Sequence, residues 1–211
     1  MIKIQPNKLP KSFTFLVSGG VDSVAAAYWL KHNYNRDFCT IHFNHGVQKI
    51  NDKMENRVRE FCRDNEIPLS VYYRDTYLFP DTTENGLRNF RLEVMNNIGG
   101  DFVTAHHLND TVENYVMNFI KGTPEYKPIN EVFEGNKIRI FHPFLKTNKK
   151  SFIDFVAQND LYRYIVEDPT NKENNCLRNK IRNILIPEFN KISNLESVVR
   201  RKFYQKDKKT T

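Results

Sequence analysis

The stretch FTFLVSGGVDS, from Phe13 to Ser23, decides the fold of this chain. Its first five residues, Phe13–Val17, are mostly apolar and predict a short strand, while Ser23–Leu30 predicts a helix. The two adjacent glycines between them let the backbone turn and come close to a ligand. Because the first amides of a helix have no partner, this strand, turn and helix together predict an anion-binding cradle.

The polar residues of the turn indicate which anion it binds. Ser18 and Ser23 carry hydroxyls that can donate to phosphate oxygens. Asp22 is more informative, because a carboxylate beside a phosphate is repulsive unless a cation such as Mg²⁺ lies between them. The turn fits neither the Walker A pattern nor a GxGxxG dinucleotide turn. It resembles the PP-loop of ATP pyrophosphatases, which implies Mg²⁺ on Asp22 and ATP on Ser18, Gly19, Gly20, Val21, Asp22 and Ser23.

Composition indicates a folded protein from a reducing compartment. With 211 residues, 39% of them hydrophobic and 13% aromatic, the chain can form one large domain, or one domain with a helical appendage. Its three cysteines form no CxxC pair, so they suggest neither a zinc nor an iron–sulfur site. The N-terminus lacks the apolar run of a signal peptide, and no segment reaches the length of a membrane span. We therefore expect a cytoplasmic protein without a membrane partner.

The net charge of +7 is concentrated near the C-terminus. Residues 172–211 contain 11 Lys and Arg against 4 Asp and Glu, and the rest of the chain is neutral. Such a surplus is typical of a surface that receives a polyanion, although a solvated helical tail gives the same pattern.

Strands alternate with helices through about Phe141, which predicts an α/β fold with a five-stranded parallel sheet flanked by helices and a helical C-terminal extension. After the first strand, strands are expected at 38–43, 69–73, 101–105 and 137–141. Helices are expected at 52–65, 82–98 and 147–159, with a last one from Ile186 toward Lys206. A further helix is expected to be capped by Asn109 or Asp110 and closed by residues 121–124, and residues 125–134 are expected to form a loop. We place an ATP-binding catalytic domain at 1–146 and a basic helical extension, which completes the site and contacts a polyanionic substrate, at 147–211.

In two pairs of charged residues the members are three positions apart, so each pair lies on one face of a predicted helix. Arg88 and Arg91 are three residues apart and can grip one anionic group. Asp110 and Glu113 have the same spacing after a predicted strand, and they can hold Mg²⁺ or a substrate ammonium. They can equally compensate the dipole of a helix N-terminus. The neighbouring His106 and His107 would more often be structural than ligands.

Six segments together resemble tRNA(Ile)-lysidine synthetases: SGGVDS, FNHG at 43–46, LRNFR at 87–91, HHLNDTVEN at 106–114, FHPFL at 141–145 and DPTNKENNCLRNKIRNILIP at 168–187. The likeness covers the catalytic domain of that family, from Phe13 to Pro187. It implies an enzyme that uses ATP to attach free lysine to C2 of the wobble cytidine in a tRNA(Ile) with a CAU anticodon. A homodimer is one possible assembly.

The resemblance also implies residue roles. Asp22, Arg88, Asp110 and Glu113 would be catalytic. The acidic pair would orient the lysine ammonium or a metal, and Arg88 would stabilise the adenylated intermediate. The residues expected to contact substrate or tRNA are Arg91, His107, Arg178 and Arg182.

The sequence departs from the family at several positions. Gln48 and His142 stand where arginines are usual, Leu87 replaces a common alanine, and the glycine-rich run is reduced to KGTPEYKPIN at 121–130. Many members also carry C-terminal domains that help to recognise tRNA. The reduced glycine-rich run bears on how the loop meets tRNA or lysine, and so on the substrate more than on ATP binding.

Two other readings remain open. A PP-loop tRNA thiolase would rely on cysteines for sulfur transfer or a cluster, and the cysteines here show no pairing pattern. An inactive module that binds ATP or tRNA is the other reading, and the intact acidic and basic motifs argue against it.

Overall fold

The computed structural model describes residues 1–4, 9–34, 36–123 and 128–204 of the protein. Its centre is a sheet with the strand order β3-β2-β1-β4-β6-β5. All neighbouring strands run parallel except β5, which is antiparallel to β6. The predicted α/β fold is therefore confirmed. The strands are Thr14–Leu16 (β1), Cys39–Asn44 (β2), Leu69–Tyr73 (β3), Gly100–Val103 (β4), Val132–Glu134 (β5) and Ile138–Phe141 (β6).

The sheet has six strands, so the prediction of five was one too few. The additional strand, β5, lies in the segment expected to be a loop. It has only three residues, too few to show an alternating pattern, and it forms by pairing with β6, where Phe133 lies opposite Ile140. Residues 124–127 of the altered glycine-rich run lie outside the described residues.

Helices follow the strands as expected. They are Val21–His32 (α1), Lys49–Asp64 (α2), Glu84–Ile98 (α3), Leu108–Ile120 (α4) and Lys149–Gln158 (α5), followed by Leu177–Lys180 (α6), Ile186–Asn190 (α7) and Leu195–Tyr204 (α8). Helix α2 begins three residues earlier than expected, because Gln48 and Asn51 form a capping box there.

The C-terminal region differs from the single long helix that was expected from Ile186. Helices α7 and α8 are separate, and the Asn194 side chain accepts a hydrogen bond from the Ser197 amide at the start of α8. Upstream, Ile181–Leu185 forms a π-helical turn between α6 and α7. Pro187, the second residue of α7, lacks the amide that a continuous α-helix would need at this point. Lys206 lies outside the described residues.

Both faces of the sheet are covered, as a parallel sheet requires. On one face, Phe15 packs in a large cluster with residues of α1, α2 and α5, including Val24, Phe61 and Phe152. On the other, Phe43, Phe90, Phe102 and Ile140 form a second cluster with α3. A third cluster joins α4 to α8 through Leu108, Val112, Val199 and Tyr204. Phe152 lies beyond residue 146, so α5 shares the core of the sheet, and the division at 146 remains a proposal.

The strand order fixes where a ligand can enter. After β1 the chain builds β2 and β3 on one side, then crosses over to place β4 on the other side of β1. The carboxyl ends of β1 and β4 flank this switch point, where open parallel sheets bind ligands. None of the helices in the described residues combines the length and apolar character needed to cross a lipid bilayer.

Candidate active site

The SGGVDS loop, Ser18–Ser23, joins β1 to α1 at the switch point. Gly19 has a φ of +87°, and a Cβ there would lie 3.2 Å from the Val58 side chain. Gly20 has an ordinary φ of −84°. The backbone conformation therefore requires glycine only at position 19, whereas a Cβ at Gly20 would make an ordinary contact of 3.6 Å with Oγ of Ser18. The Gly19 carbonyl accepts a hydrogen bond of 3.1 Å from the Val166 amide, which ties the loop to the C-terminal region.

The two serines of the loop differ in environment. The buried Ser23 hydroxyl donates to the Gly20 carbonyl at 3.0 Å and accepts from the Ser18 amide at 3.1 Å. Its bonds are thus used to shape the loop, whereas Ser18 is exposed. Helix α1 begins at Val21 without a side-chain cap. Its first amides and the positive end of its dipole are therefore left for an anion.

Asp22 lies in the first turn of α1. Its Oδ2 accepts a hydrogen bond of 2.6 Å from Nζ of Lys149. Its Oδ1 lies 3.5 Å from Nε2 of His107 and is buried without a hydrogen bond to any described residue. Burial alone would raise the pKa of Asp22, but His107 and Lys149 outweigh it and lower the pKa to about 2. The group is therefore an anion at neutral pH.

His107 connects this carboxylate to the next motif. Its amide donates to Oδ2 of Asp110 at 2.8 Å, and its Nδ1 accepts from the Asn109 amide at 3.2 Å. Burial would lower the pKa of His107, but Asp110 and then Asp22 raise it above its usual value. Asp110 is itself buried, yet His107 and His106 keep its pKa low. Two motifs that lie far apart in the sequence therefore place carboxylates on both sides of one imidazole.

Glu113 has a different environment. Arg182 donates to both of its oxygens, at 2.6 and 2.9 Å, and Nε of Arg178 donates to Oε2 at 3.2 Å. Arg178 also pairs with Glu84 at the start of α3. Arg182 lies on the π-helical turn, a distortion that often accompanies functional sites. The acidic residue expected to bind substrate and the arginines expected to bind tRNA thus contact one another.

The other arginine pair is divided. Arg88 is exposed and forms no ion pair with a described residue. Arg91 is partly covered and lies 3.3 Å from Nε2 of His45, and its pKa is lowered by burial and then by Arg88. The two side chains share a helix flank, but Arg88 alone faces solvent.

Sequence analysis missed two parts of the site. One is Lys149, whose position at a helix N-terminus is unusual for a lysine. The other is a polar cluster at the ends of β4 and β6, where Oγ1 of Thr104 lies 2.8 Å from Nδ1 of His106 and 2.6 Å from Nδ1 of His142. Burial, and then His106, lower the pKa of His142 to about 3. The replacement of arginine by His142 was the available signal.

The residues fit a magnesium ion better than a transition metal. In the described part of the chain, no group of three or more His, Cys, Asp or Glu could hold a metal. Mg²⁺ instead takes one or two carboxylates together with substrate phosphates and water. The buried Oδ1 of Asp22 lies beside the start of α1 and accepts no hydrogen bond from a described residue, although His107 is 3.5 Å away, and it is suited to that arrangement.

Comparison with known proteins places this geometry in context. A family model described as a PP-loop domain matches residues 2–189. The tRNA(Ile)-lysidine synthase of Streptococcus agalactiae is 28% identical over 188 residues, which are 84% of this chain and 42% of that protein. The tRNA(Ile)-lysidine synthase of Staphylococcus aureus is 29% identical over 193 residues, 85% of this chain and 44% of that protein. The chain thus spans less than half the length of these curated relatives.

A solved structure gives a fold comparison. The U34-tRNA thiolase of Methanococcus maripaludis, solved with its 4Fe–4S cluster, matches with a TM-score of 0.71 at 16% identity, over 90% of this chain and 70% of that chain. At this identity the likeness shows a common fold alone. In the present chain Cys39 and Cys176 are exposed, while Cys62 is buried.

Proposed function

This chain belongs to the PP-loop domain family, and from that membership we propose that it is an ATP-dependent tRNA-modifying ligase. We propose more specifically that it attaches lysine to C2 of the wobble cytidine in a tRNA(Ile) with a CAU anticodon. The observation that carries the proposal is the placement of Asp22 and Asp110 on either side of His107. Such a site can receive a triphosphate on one side and a cationic amine on the other.

The proposed reaction has two steps. The C2 oxygen of cytosine attacks the α-phosphorus of ATP, and pyrophosphate leaves. The lysine ε-amine then attacks C2 and gives up a proton, while AMP departs with the former C2 oxygen. The free amides at the start of α1 can stabilise charge that develops on the phosphates. Mg²⁺, which Asp22 would hold, supplies further neutralisation of that charge.

We assign the lysine amine to Asp110. In the described residues Asp110 forms no ion pair with an arginine or a lysine, whereas two arginines already neutralise Glu113. Glu113 can reach the amine only after Arg178 and Arg182 turn away. An incoming tRNA phosphate is a competing partner for both guanidinium groups, because arginine binds phosphate and carboxylate with the same fork.

Arg88 completes the proposed site. It is exposed at the carboxyl edge of the sheet, and its charge acts on Arg91 and on His142. An arginine in this place can stabilise the phosphate of the adenylated intermediate. Together with Arg178 and Arg182, which contact Glu113, it supplies positive charge that a tRNA phosphate can meet.

Nucleoside mass spectrometry tests the proposal. The protein is incubated with ATP, Mg²⁺, lysine and a tRNA(Ile) transcript bearing CAU, and the RNA is then digested. We expect a lysine-modified cytidine that depends on ATP and lysine, and none with a transcript bearing GAU.

The variant Asp110→Ala separates an enzyme from an inactive binding module. If the protein is an enzyme, Asp110→Ala should abolish turnover. If it is a module that only binds tRNA, the wild type and Asp110→Ala should bind tRNA with the same affinity. A sulfur-containing nucleoside would favour the thiolase reading. Absence of any modified nucleoside from intact, ATP-binding protein would contradict the proposed ligation.

A further inference from the structure

Lys149 is the one charged partner of the SGGVDS loop that comes from the C-terminal region, within the described residues. Its Nζ contacts Oδ2 of Asp22 at 2.6 Å, and its side chain is 41% exposed. The contact joins the first residue of α5 to the second residue of α1, across 127 positions of sequence. An ammonium group therefore stands at the mouth of the proposed triphosphate site.

The position of Lys149 opposes the preference of its own helix. Lys149 and Lys150 open α5, whose first turn contains no acidic residue. A lysine at the positive end of a helix is disfavoured by the helix dipole. Lys150 offsets this by pairing with Asp154 one turn later. Lys149 has no such partner on its helix, and residues that violate a local rule are expected at functional positions.

The backbone of Lys149 is held firmly while its ammonium group is not. The Lys149 amide donates to Oδ1 of Asn109 at 2.8 Å, and Nδ2 of Asn109 donates to Glu196 at 2.8 Å. The Leu108 amide also donates to the carbonyl of Thr147, two residues before Lys149. The start of α5 is thereby fixed against α4. The flexible stem of the lysine lets its Nζ move to a nearby acceptor.

We propose that Lys149 is a phosphate-binding residue that neutralises Asp22 until a nucleotide arrives. When ATP enters, Nζ transfers from Asp22 to a phosphate oxygen, and the carboxylate becomes available to the cation that accompanies the phosphates. The two cations then no longer compete for one carboxylate, because the triphosphate supplies the additional negative charge. This inference rests on the ATP binding of the proposed function, and it does not depend on lysine or tRNA.

A double-mutant cycle tests whether Lys149 contacts the phosphates or acts only through Asp22. Binding of ATP is measured by calorimetry in EDTA, which removes the role of Asp22 as a metal ligand. The proteins are the wild type, Asp22→Asn, Lys149→Gln and the double variant. If Lys149 contacts phosphate, Lys149→Gln weakens ATP binding about tenfold in the Asp22→Asn background as well, the effect of one charge-assisted hydrogen bond.

If Lys149 acts only by pairing with Asp22, the Asp22→Asn substitution has already removed its partner, and Lys149→Gln should then have no further effect on ATP binding. A change there of less than about twofold would therefore overturn the inference. Lys150→Gln removes the same charge from the adjacent position, and we expect it to change the affinity by less than about twofold. If Lys150→Gln weakens ATP binding as much as Lys149→Gln, loss of any nearby positive charge explains the change and the inference is wrong.

Two controls keep the cycle interpretable. Circular dichroism melting shows that each variant is folded, and Lys149→Arg restores most of the affinity if a cation at this position binds phosphate. If the double-mutant cycle gives the expected result but no lysidine is formed, the proposed ligation is rejected and this inference stands. Failure of the wild-type protein to bind ATP would reject both.

Discussion

Asp22 and Glu113 are acidic residues near the starts of α1 and α4, the two helices that flank the switch point of the sheet. Asp22 pairs with one half-exposed lysine and has an oxygen without a hydrogen bond to any described residue. Glu113 has a side chain only 4% exposed, and both of its oxygens accept from arginines. The first carboxylate is ready to exchange its partner, while the second holds α6 and the π-helical turn against α4.

The difference shows how one site can combine a ligand-binding group with a structural one. Lys149 is half-exposed and flexible, so it can exchange its acceptor, but the partly buried Asp22 keeps its charge only while a cation stays beside it. Removal of one partner from a buried pair costs about 3–5 kcal/mol, because the remaining charges stay buried. Substitution of Asp22 should therefore affect chemistry, and substitution of Glu113 should affect stability first.

The largest effect is expected from Asp22→Asn. Loss of the loop carboxylate should reduce the rate of the proposed ligation by about 10²–10³-fold, the range for removal of one electrostatic contact in a catalytic site. The free energy of unfolding at neutral pH should also fall, by about 1 kcal/mol, because His107 and Lys149 favour the charged carboxylate in the folded protein. Normal turnover of Asp22→Asn, or a loss of turnover explained by unfolding, would contradict the assignment of Asp22 to the chemistry. The measurement is initial rate against ATP in parallel with denaturation.

Glu113→Gln tests whether Glu113 stabilises the fold. It leaves Arg178 and Arg182 with a neutral amide, and we expect the free energy of unfolding to fall by about 2 kcal/mol, less than for a fully buried pair because the arginines are partly exposed. The matched control is Asp154→Asn, which breaks the exposed pair with Lys150 and should cost less than about 0.5 kcal/mol. Equal losses in urea denaturation would remove the distinction drawn here.

The two glycines of the loop offer a sharper contrast. Gly19→Ala forces a side chain into the left-handed region and against Val58, and it should cost about 1–2 kcal/mol of stability. Gly20→Ala meets no conformational barrier and should stay within about 0.5 kcal/mol of the wild type. It should instead weaken ATP binding, because its methyl group occupies space at the helix start. Thermal melts and ATP titrations of both variants distinguish these outcomes.

The smallest effect concerns the proton on His107. Its pKa in the folded protein is raised above 6.5, so the stability it contributes is full below pH 6.5 and is lost as the pH rises through the folded-state value. Titration of the ring by NMR should show this raised pKa. Asp110→Asn should lower it, whereas Glu113→Gln should not, since arginines already neutralise Glu113. An unchanged pKa in Asp110→Asn would contradict the contact.

Most of the fold could be predicted because its signals are local. Apolar runs bounded by glycines and prolines mark the strands. Four of the six segments follow strand ends, and the other two, at 87–91 and 168–187, lie in helical regions. Strand β5 could not be predicted, because its three residues form a strand only by pairing with β6. The π-helical turn at Ile181–Leu185 and the contact of Lys149 with Asp22 depend on packing between distant elements, which no short window of sequence contains.

The hydrogen bond from Val166 to Gly19 has a consequence for how the protein is made. The ribosome releases the SGGVDS loop early, yet the groups that brace it, Val166 and Lys149, emerge much later. At about 5–20 residues per second, the 127 positions between Asp22 and Lys149 correspond to roughly 6–25 s of synthesis. The SGGVDS loop is therefore translated well before the groups that complete its surroundings.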